Sequence, residues 1–235
     1  SGAGKSSFVG LLLGWHRPAE GSVRVDGELL DAARLTDLRR HTAWIDPAVR
    51  LWNRPLVDNL YYGADGGADP ALTTTLERAR LYDVVERLPE GLQTALGEGG
   101  GLLSGGEGQR VRLGRAFNRP GVRLAILDEP FRGLDRVQRR ALLDETRKRF
   151  ADATLICVTH DIRETLDFER VIVVDQGRVV EDGAAVELRE RQGSRYRRLL
   201  DAEDDLHVGR WMERSWRRMT VRAGEVELED GEVAP

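Results

Sequence analysis

Leu102-Leu103-Ser104-Gly105-Gly106-Glu107 is the stretch on which the reading of this chain turns. A serine and two glycines stand before Gln109 to Phe117, a segment that reads as a helix. An apolar run, Leu124-Ala125-Ile126-Leu127, follows and ends in Asp128-Glu129. Ser104 and Glu107 fit the S-x-x-E capping box, in which hydroxyl and carboxylate each accept a backbone N–H of the first helical turn. That reading needs only a well-capped helix. A helix start with two glycines is also an anion site, because its free N–H groups and the helix dipole favour negative charge. The two readings are compatible.

The chain opens with Ser1-Gly2-Ala3-Gly4-Lys5-Ser6-Ser7, most of the phosphate-loop pattern G-x-x-x-x-G-K-[ST]. Gly2 and Gly4 let the backbone approach a phosphate and aim N–H groups at it. Lys5 is expected to meet β- and γ-phosphates, and Ser6 to offer its hydroxyl to Mg²⁺. The pattern's first glycine, the residue after it and the strand that leads into such a loop would precede Ser1. With no initiator Met, the chain is expected to be a piece of a longer polypeptide that folds poorly without its missing strand.

Asp128 closes an aliphatic strand, a place from which a carboxylate can hold Mg²⁺ at the C-terminal edge of a sheet. Continuous apolar runs recur at Thr154 to Val158 and Val171 to Val174, as in strands covered on both faces. Thr42 to Ile45 is a further short strand, and Val137 to Arg149 a charged helix between two of the runs. Alternating strands and helices predict an α/β sheet. Ser22 to Gly27 ends in Asp26-Gly27 and reads as strand and turn, and Gly177 to Val180 as the return of a hairpin.

Together and in this order, the motifs resemble the nucleotide-binding domain of ATP-binding cassette (ABC) proteins, over roughly residues 1 to 200. The resemblance implies an α/β P-loop NTPase sheet with an ABC-type helical subdomain at 56–118, a short antiparallel β portion, and an appendage at 201–235. It implies ATP and Mg²⁺ as ligands. Ser1, Gly2, Ala3, Gly4, Lys5, Ser6 and Ser7 would cradle the nucleotide phosphates, with Ser6 and Asp128 as metal ligands. Glu129 resembles the catalytic carboxylate that polarises water, and His160 the switch histidine at the γ-phosphate. Ser104, Gly105, Gly106 and Glu107 would bind the γ-phosphate of ATP held by an opposing domain. Asp135, in Gly133-Leu134-Asp135, belongs to the loop after the catalytic carboxylate and is also placed to cap the helix from Arg136. The implied partner is a second ABC nucleotide-binding domain, as homo- or heterodimer.

One departure stands out. The family carries a glutamine near the end of the strand Thr42 to Ile45; here the sequence is Trp44-Ile45-Asp46-Pro47. An ungapped alignment puts Pro47 there, which has no side-chain donor atom. A one-residue shift puts Asp46 there, and its carboxylate is expected to take over as a metal ligand.

Thr94 to Gly100 resembles a segment of exporter-type domains that touches the membrane domain, with Glu98 as the contact residue. The implied partner is the transmembrane domain of an ABC exporter, fused upstream or separate, which places the chain at the cytoplasmic face of the membrane. The alternative is a soluble ABC ATPase acting on ribosomes or nucleic acid. A third possibility is a binding module with a weak ATP site.

Composition sets the outer limits. The 235 residues suit one large domain, or one plus a small appendage. A net charge of −4 gives no general reason to bind nucleic acid. No window approaches the roughly 18 consecutive apolar residues of a membrane span. The single cysteine, Cys157, lies in an apolar run and is expected in the core. In the appendage, Val208, Trp211 or Met212, Trp216 and Met219 recur at helical spacing among arginines. They predict a helix that packs on its own domain or lies on a membrane or partner.

Overall fold

A computed structural model describes residues 3–48, 50–63, 72–212, 217–222 and 225–230. They fall into two compact units, Ser1–His160 and Asp161–Pro235.

In the first unit, α1 (Lys5–Leu12) leads to a two-strand hairpin, β1 (Arg24–Val25) and β2 (Glu28–Leu29), turned at Asp26-Gly27. Helix α2 (Ala32–Arg40) starts where the Asp31 carboxylate accepts the Arg34 N–H. Strand β3 (Thr42–Ile45) follows. Four helices come next: α3 (Leu56–Tyr61), α4 (Leu72–Arg78), α5 (Tyr82–Arg87) and α6 (Gly105–Phe117). The chain then forms β4 (Leu124–Asp128), α7 (Arg136–Arg149) and β5 (Thr154–Val158).

β4 is the middle strand of a parallel sheet ordered β3-β4-β5. Ala125, Ile126 and Leu127 are fully buried, as a central parallel strand covered on both faces requires. Ile126 and Leu124 pack with Val9 of α1, Leu13 just after it and Val158 of β5. Each such aliphatic side chain contributes about 1.5–3 kcal/mol through burial. Among the described residues strand β5 has one neighbour, and its residues before Val158 are exposed or only partly covered. Cys157 is accordingly half-buried rather than a core residue.

The helical stretch is tied together by polar groups that satisfy one another. Buried Asn59 exchanges hydrogen bonds with the Trp52 backbone, its Oδ1 accepting at 2.9 Å and its Nδ2 donating at 3.0 Å. Arg115 of α6 donates to the Asn59 carbonyl at 2.9 Å.

In the second unit, β6 (Val171–Asp175) and β7 (Arg178–Gly183) form an antiparallel hairpin. Val171 and Val173 are buried with Ala185 and Leu188 of α8 (Ala185–Glu190) and Tyr196 and Leu200 of α9 (Arg195–Met212). β8 (Arg217–Arg222) pairs antiparallel with β9 (Glu225–Asp230). Among the described residues no helix is long and apolar enough to cross a membrane.

Two expectations need correction. The run Val171 to Val174 is not a strand of the parallel sheet. It alternates, with Ile172 exposed between buried neighbours, because its hairpin rests one face on α8 and α9. The helical spacing read from Val208 to Met219 is broken as well: α9 ends at Met212, and Met219 lies in β8. Residues 213–216, Trp216 among them, are outside the described residues.

Candidate active site

The parallel register sets the edge at which the candidate residues gather. Ile45 stands opposite Leu127, and Asp128 opposite Val158, so Asp46, Asp128 and the residues after Val158 leave the sheet at the same end. Helix α1 starts at this edge. Gly4 takes φ 101°, a left-handed turn that a side chain would strain. No side chain caps α1, so the first-turn N–H groups remain available to an anion. Ser1 and Gly2 lie outside the described residues; Ala3 and Gly4 form the bend, and Lys5, Ser6 and Ser7 the first turn.

The Ser6 hydroxyl donates to Oδ2 of Asp128 at 3.2 Å. Asp128 has its carboxyl pushed above the usual aspartate range. Burial is the main cause, and the negative charges of Asp46 and Glu129 add to it. The Ser6 hydrogen bond and the Lys5 charge pull the other way without winning. The edge thus holds more negative charge than Lys5 balances, which suits a cation.

Glu129 sits at φ 48°, an unusual backbone for a non-glycine residue. It is held there by its N–H donating to the Val158 carbonyl at 2.8 Å. The bond links the ends of β4 and β5 and brings His160 close: Nδ1 of His160 lies 2.5 Å from Oε2 of Glu129. Strain of about 1–3 kcal/mol kept at a carboxylate is a common mark of functional sites.

Asp46 accepts the Ala48 N–H on Oδ1 at 2.6 Å, a turn that spans Pro47. Its charge reaches Asp128 on one side and Arg112 of α6 on the other. Burial lowers the Arg112 pKa, and Asp46 partly restores it.

Ser104, Gly105, Gly106 and Glu107 form a second cluster at the start of α6. The capping box is complete: Glu107 N–H donates to Ser104 Oγ at 3.3 Å, and Ser104 N–H to Glu107 Oε2 at 2.8 Å. A methyl group on Gly106 would come within 2.8 Å of the Gly133 carbonyl oxygen, so the loop Gly133-Leu134-Asp135 demands glycine there. Asp135 Oδ1 accepts the Gln138 N–H at 2.8 Å and caps α7.

Three residues escaped the sequence reading. Arg87 pairs with Glu107 at 2.6 Å. Arg110 forks onto both oxygens of Asp83, at 2.8 and 2.9 Å, and also donates to the Arg80 carbonyl. Asp83 and Arg87 are four apart on α5, facing Glu107 and Arg110, three apart on α6; that double spacing was the signal available.

The family model described as ABC transporter matches residues 1–132. An ATP-dependent lipid A-core flippase of Xylella fastidiosa is 35% identical over 197 residues, 82% of this chain and 33% of that protein. The mitochondrial iron-sulfur clusters transporter ATM1 of Saccharomyces cerevisiae is 31% identical over 88% of this chain and 30% of that protein. The structure of a bacterial Atm1-family ABC exporter with ATP bound matches at TM-score 0.80 and 31% identity, over 86% of this chain and 35% of the other. The chain spans about a third of the length of the curated relatives it matches. The capped Ser104-Gly105-Gly106 helix and the Ser6–Asp128–Glu129–His160 edge therefore sit in a chain that belongs to the ABC transporter family, as a nucleotide-binding domain of the exporter-like kind.

Proposed function

We propose that this chain is the ATP-hydrolysing engine of a membrane exporter. The observation that carries the reading is the contact of His160 with Glu129, beside the Ser6–Asp128 hydrogen bond, at one sheet edge. The first turn of α1 and Lys5 bind the β- and γ-phosphates. Glu129 accepts a proton from the attacking water as its oxygen bonds to the γ-phosphorus. The bond from that phosphorus to the bridging oxygen breaks, and ADP leaves with the electron pair. His160 holds the Glu129 carboxylate and reaches the transferred phosphate from the exposed side.

Ser6, Asp128 and Asp46 fit Mg²⁺: a hydroxyl and carboxylates whose mutual repulsion is relieved by a cation. Among the described residues no three His, Cys, Asp or Glu gather into a metal cluster of their own. When bound, Mg²⁺ offsets charge on the β- and γ-phosphates.

The start of α6, with Ser104 and Gly106, binds the γ-phosphate of ATP held by a second nucleotide-binding domain. ATP thereby closes a dimer and hydrolysis reopens it. The motion passes to a transmembrane domain, with Glu98 at the contact. Glu98 is exposed and only loosely paired with Arg50, at 3.7 Å. The site of action is the cytoplasmic face of the membrane. The relatives, a flippase and a transporter among them, support export over the soluble alternative on ribosomes or nucleic acid.

The test is ATP turnover by the full-length protein beside Glu129→Gln. Wild-type turnover with ATP bound but not hydrolysed by Glu129→Gln supports the reading. Hydrolysis undiminished in Glu129→Gln overturns it.

A further inference from the structure

The capping box at α6 uses a carboxylate where an amide would serve as well: Glu or Gln at the third helical position returns the same hydrogen bond to the N-cap N–H. The choice has an electrostatic consequence. Glu107 places a full negative charge next to Ser104, where the terminal phosphate of ATP docks in the reading above. The carboxylate is held ionised. Burial alone would raise its pKa, but the hydrogen bonds from Ser104 and Arg87 and the Arg87 charge outweigh burial and lower it. An unbalanced anion there would oppose a second one.

Arg87 supplies the balance. Its Nη2 lies 2.6 Å from Glu107 Oε1, while Oε2 serves the cap at 2.8 Å, so the two oxygens have separate tasks. The Glu107 side chain is 16% exposed and cannot rely on water to screen it, whereas Arg87 is 50% exposed. A half-exposed pair of this kind adds little to stability. Its effect is on the local field, which a sheltered site transmits more strongly than water does. Arg87 stands at the last turn of α5, and one turn earlier Asp83 is forked by buried Arg110 of α6. That second pair holds the two helices together without Arg87.

We propose that Arg87 is a positioning residue of the nucleotide site: it neutralises Glu107 so that the start of α6 accepts the terminal phosphate of ATP. The proposal rests on the reading that this helix start faces that phosphate. It makes Arg87 needed only because residue 107 is a carboxylate.

The experiment measures the ATP dependence of turnover in the full-length protein for wild type, Arg87→Ala, Arg87→Lys and the double variant Arg87→Ala/Glu107→Gln. ATP-driven closure, followed by a distance probe across the nucleotide-binding domains in a Glu129→Gln background, gives a readout independent of hydrolysis. The expected result is a KM for ATP raised about tenfold in Arg87→Ala, with a smaller change in kcat, and the same shift in the ATP needed for closure. Arg87→Lys, which keeps the charge, shifts KM less than Arg87→Ala. The double variant returns KM to within about threefold of wild type, because the neutral amide keeps the cap and leaves no charge to offset. An unmoved KM in Arg87→Ala overturns the proposal. So does a double variant as impaired as the single one, which makes the pair a mechanical strut. Wild-type protein that neither binds nor hydrolyses ATP overturns the functional reading and the proposal together.

Discussion

Nδ1 of His160 lies 2.5 Å from Oε2 of Glu129, joining residues that follow two neighbouring parallel strands. The Glu129 carboxylate is 27% exposed and the imidazole 74% exposed, so the histidine covers the carboxylate from the solvent side. Glu129 is thus oriented from two directions, by its backbone bond to Val158 and by the imidazole. His160→Ala should leave ATP binding within a few-fold of wild type and lower turnover by about 10²-fold or more, in the range of a lost acid–base partner. Nucleotide binding beside steady-state hydrolysis checks this. Equal turnover would reduce the contact to packing.

Asp128 ties pH to stability. Its folded-state pKa is raised, chiefly by burial and then by Asp46, so the folded chain binds this proton more tightly than the unfolded one. Stability from this group is therefore present at low pH and lost as pH rises from the usual aspartate range through the raised value. Asp128→Asn should melt higher than wild type at neutral pH without nucleotide, and the gap should close on acidification. Paired thermal melts across that window test the sign.

Asp83 and Arg110 should respond unequally to mutation. The Arg110 side chain is 6% exposed, and Asp83 is 63% exposed. Removing Asp83 strands a buried guanidinium, leaving it, among the described residues, the Arg80 carbonyl. Removing Arg110 leaves a carboxylate that water can solvate. Asp83→Asn is expected to cost about 2–3 kcal/mol, and Arg110→Leu less, near 1 kcal/mol. Denaturant unfolding of both variants decides the order; equal losses would contradict the asymmetry.

Asp46 is proposed to stand in for the glutamine the family carries at the end of β3. As a metal ligand beside Asp128, its loss should raise the Mg²⁺ needed for half-maximal turnover about tenfold or more in Asp46→Ala. Asp46→Gln should fall between Asp46→Ala and wild type, since an amide oxygen coordinates without charge. An unchanged Mg²⁺ titration in Asp46→Ala would remove Asp46 from the metal site.

Much of this architecture was legible in the residues. Leu124 to Leu127 announced a buried parallel strand because a central strand needs apolar side chains on both faces. Ser104 and Glu107 announced their own capping box, a local device that spacing alone reveals. Val171 to Val174 misled for the opposite reason. A short run of valine and isoleucine looks the same whether both faces or one face is covered, and only the hairpin partner decides. Arg87 left only the spacing of Asp83 and Arg87 against Glu107 and Arg110 as a signal, and Arg112 left none, because their partners, Glu107 and Asp46, are distant in sequence and meet them only through the fold. In an arginine-rich chain no single arginine stands out.

Ser104 is proposed to do more than cap α6, and Ser104→Asp separates the two roles. Aspartate is as good an N-cap as serine, so the helix and the fold should persist. It also places a negative charge where the γ-phosphate is proposed to dock. ATP turnover by the full-length Ser104→Asp protein should fall at least about 10²-fold, while ATP still binds through Lys5 and the first turn of α1. Wild-type turnover in Ser104→Asp would show that Ser104 serves the helix alone, and would contradict the shared ATP site.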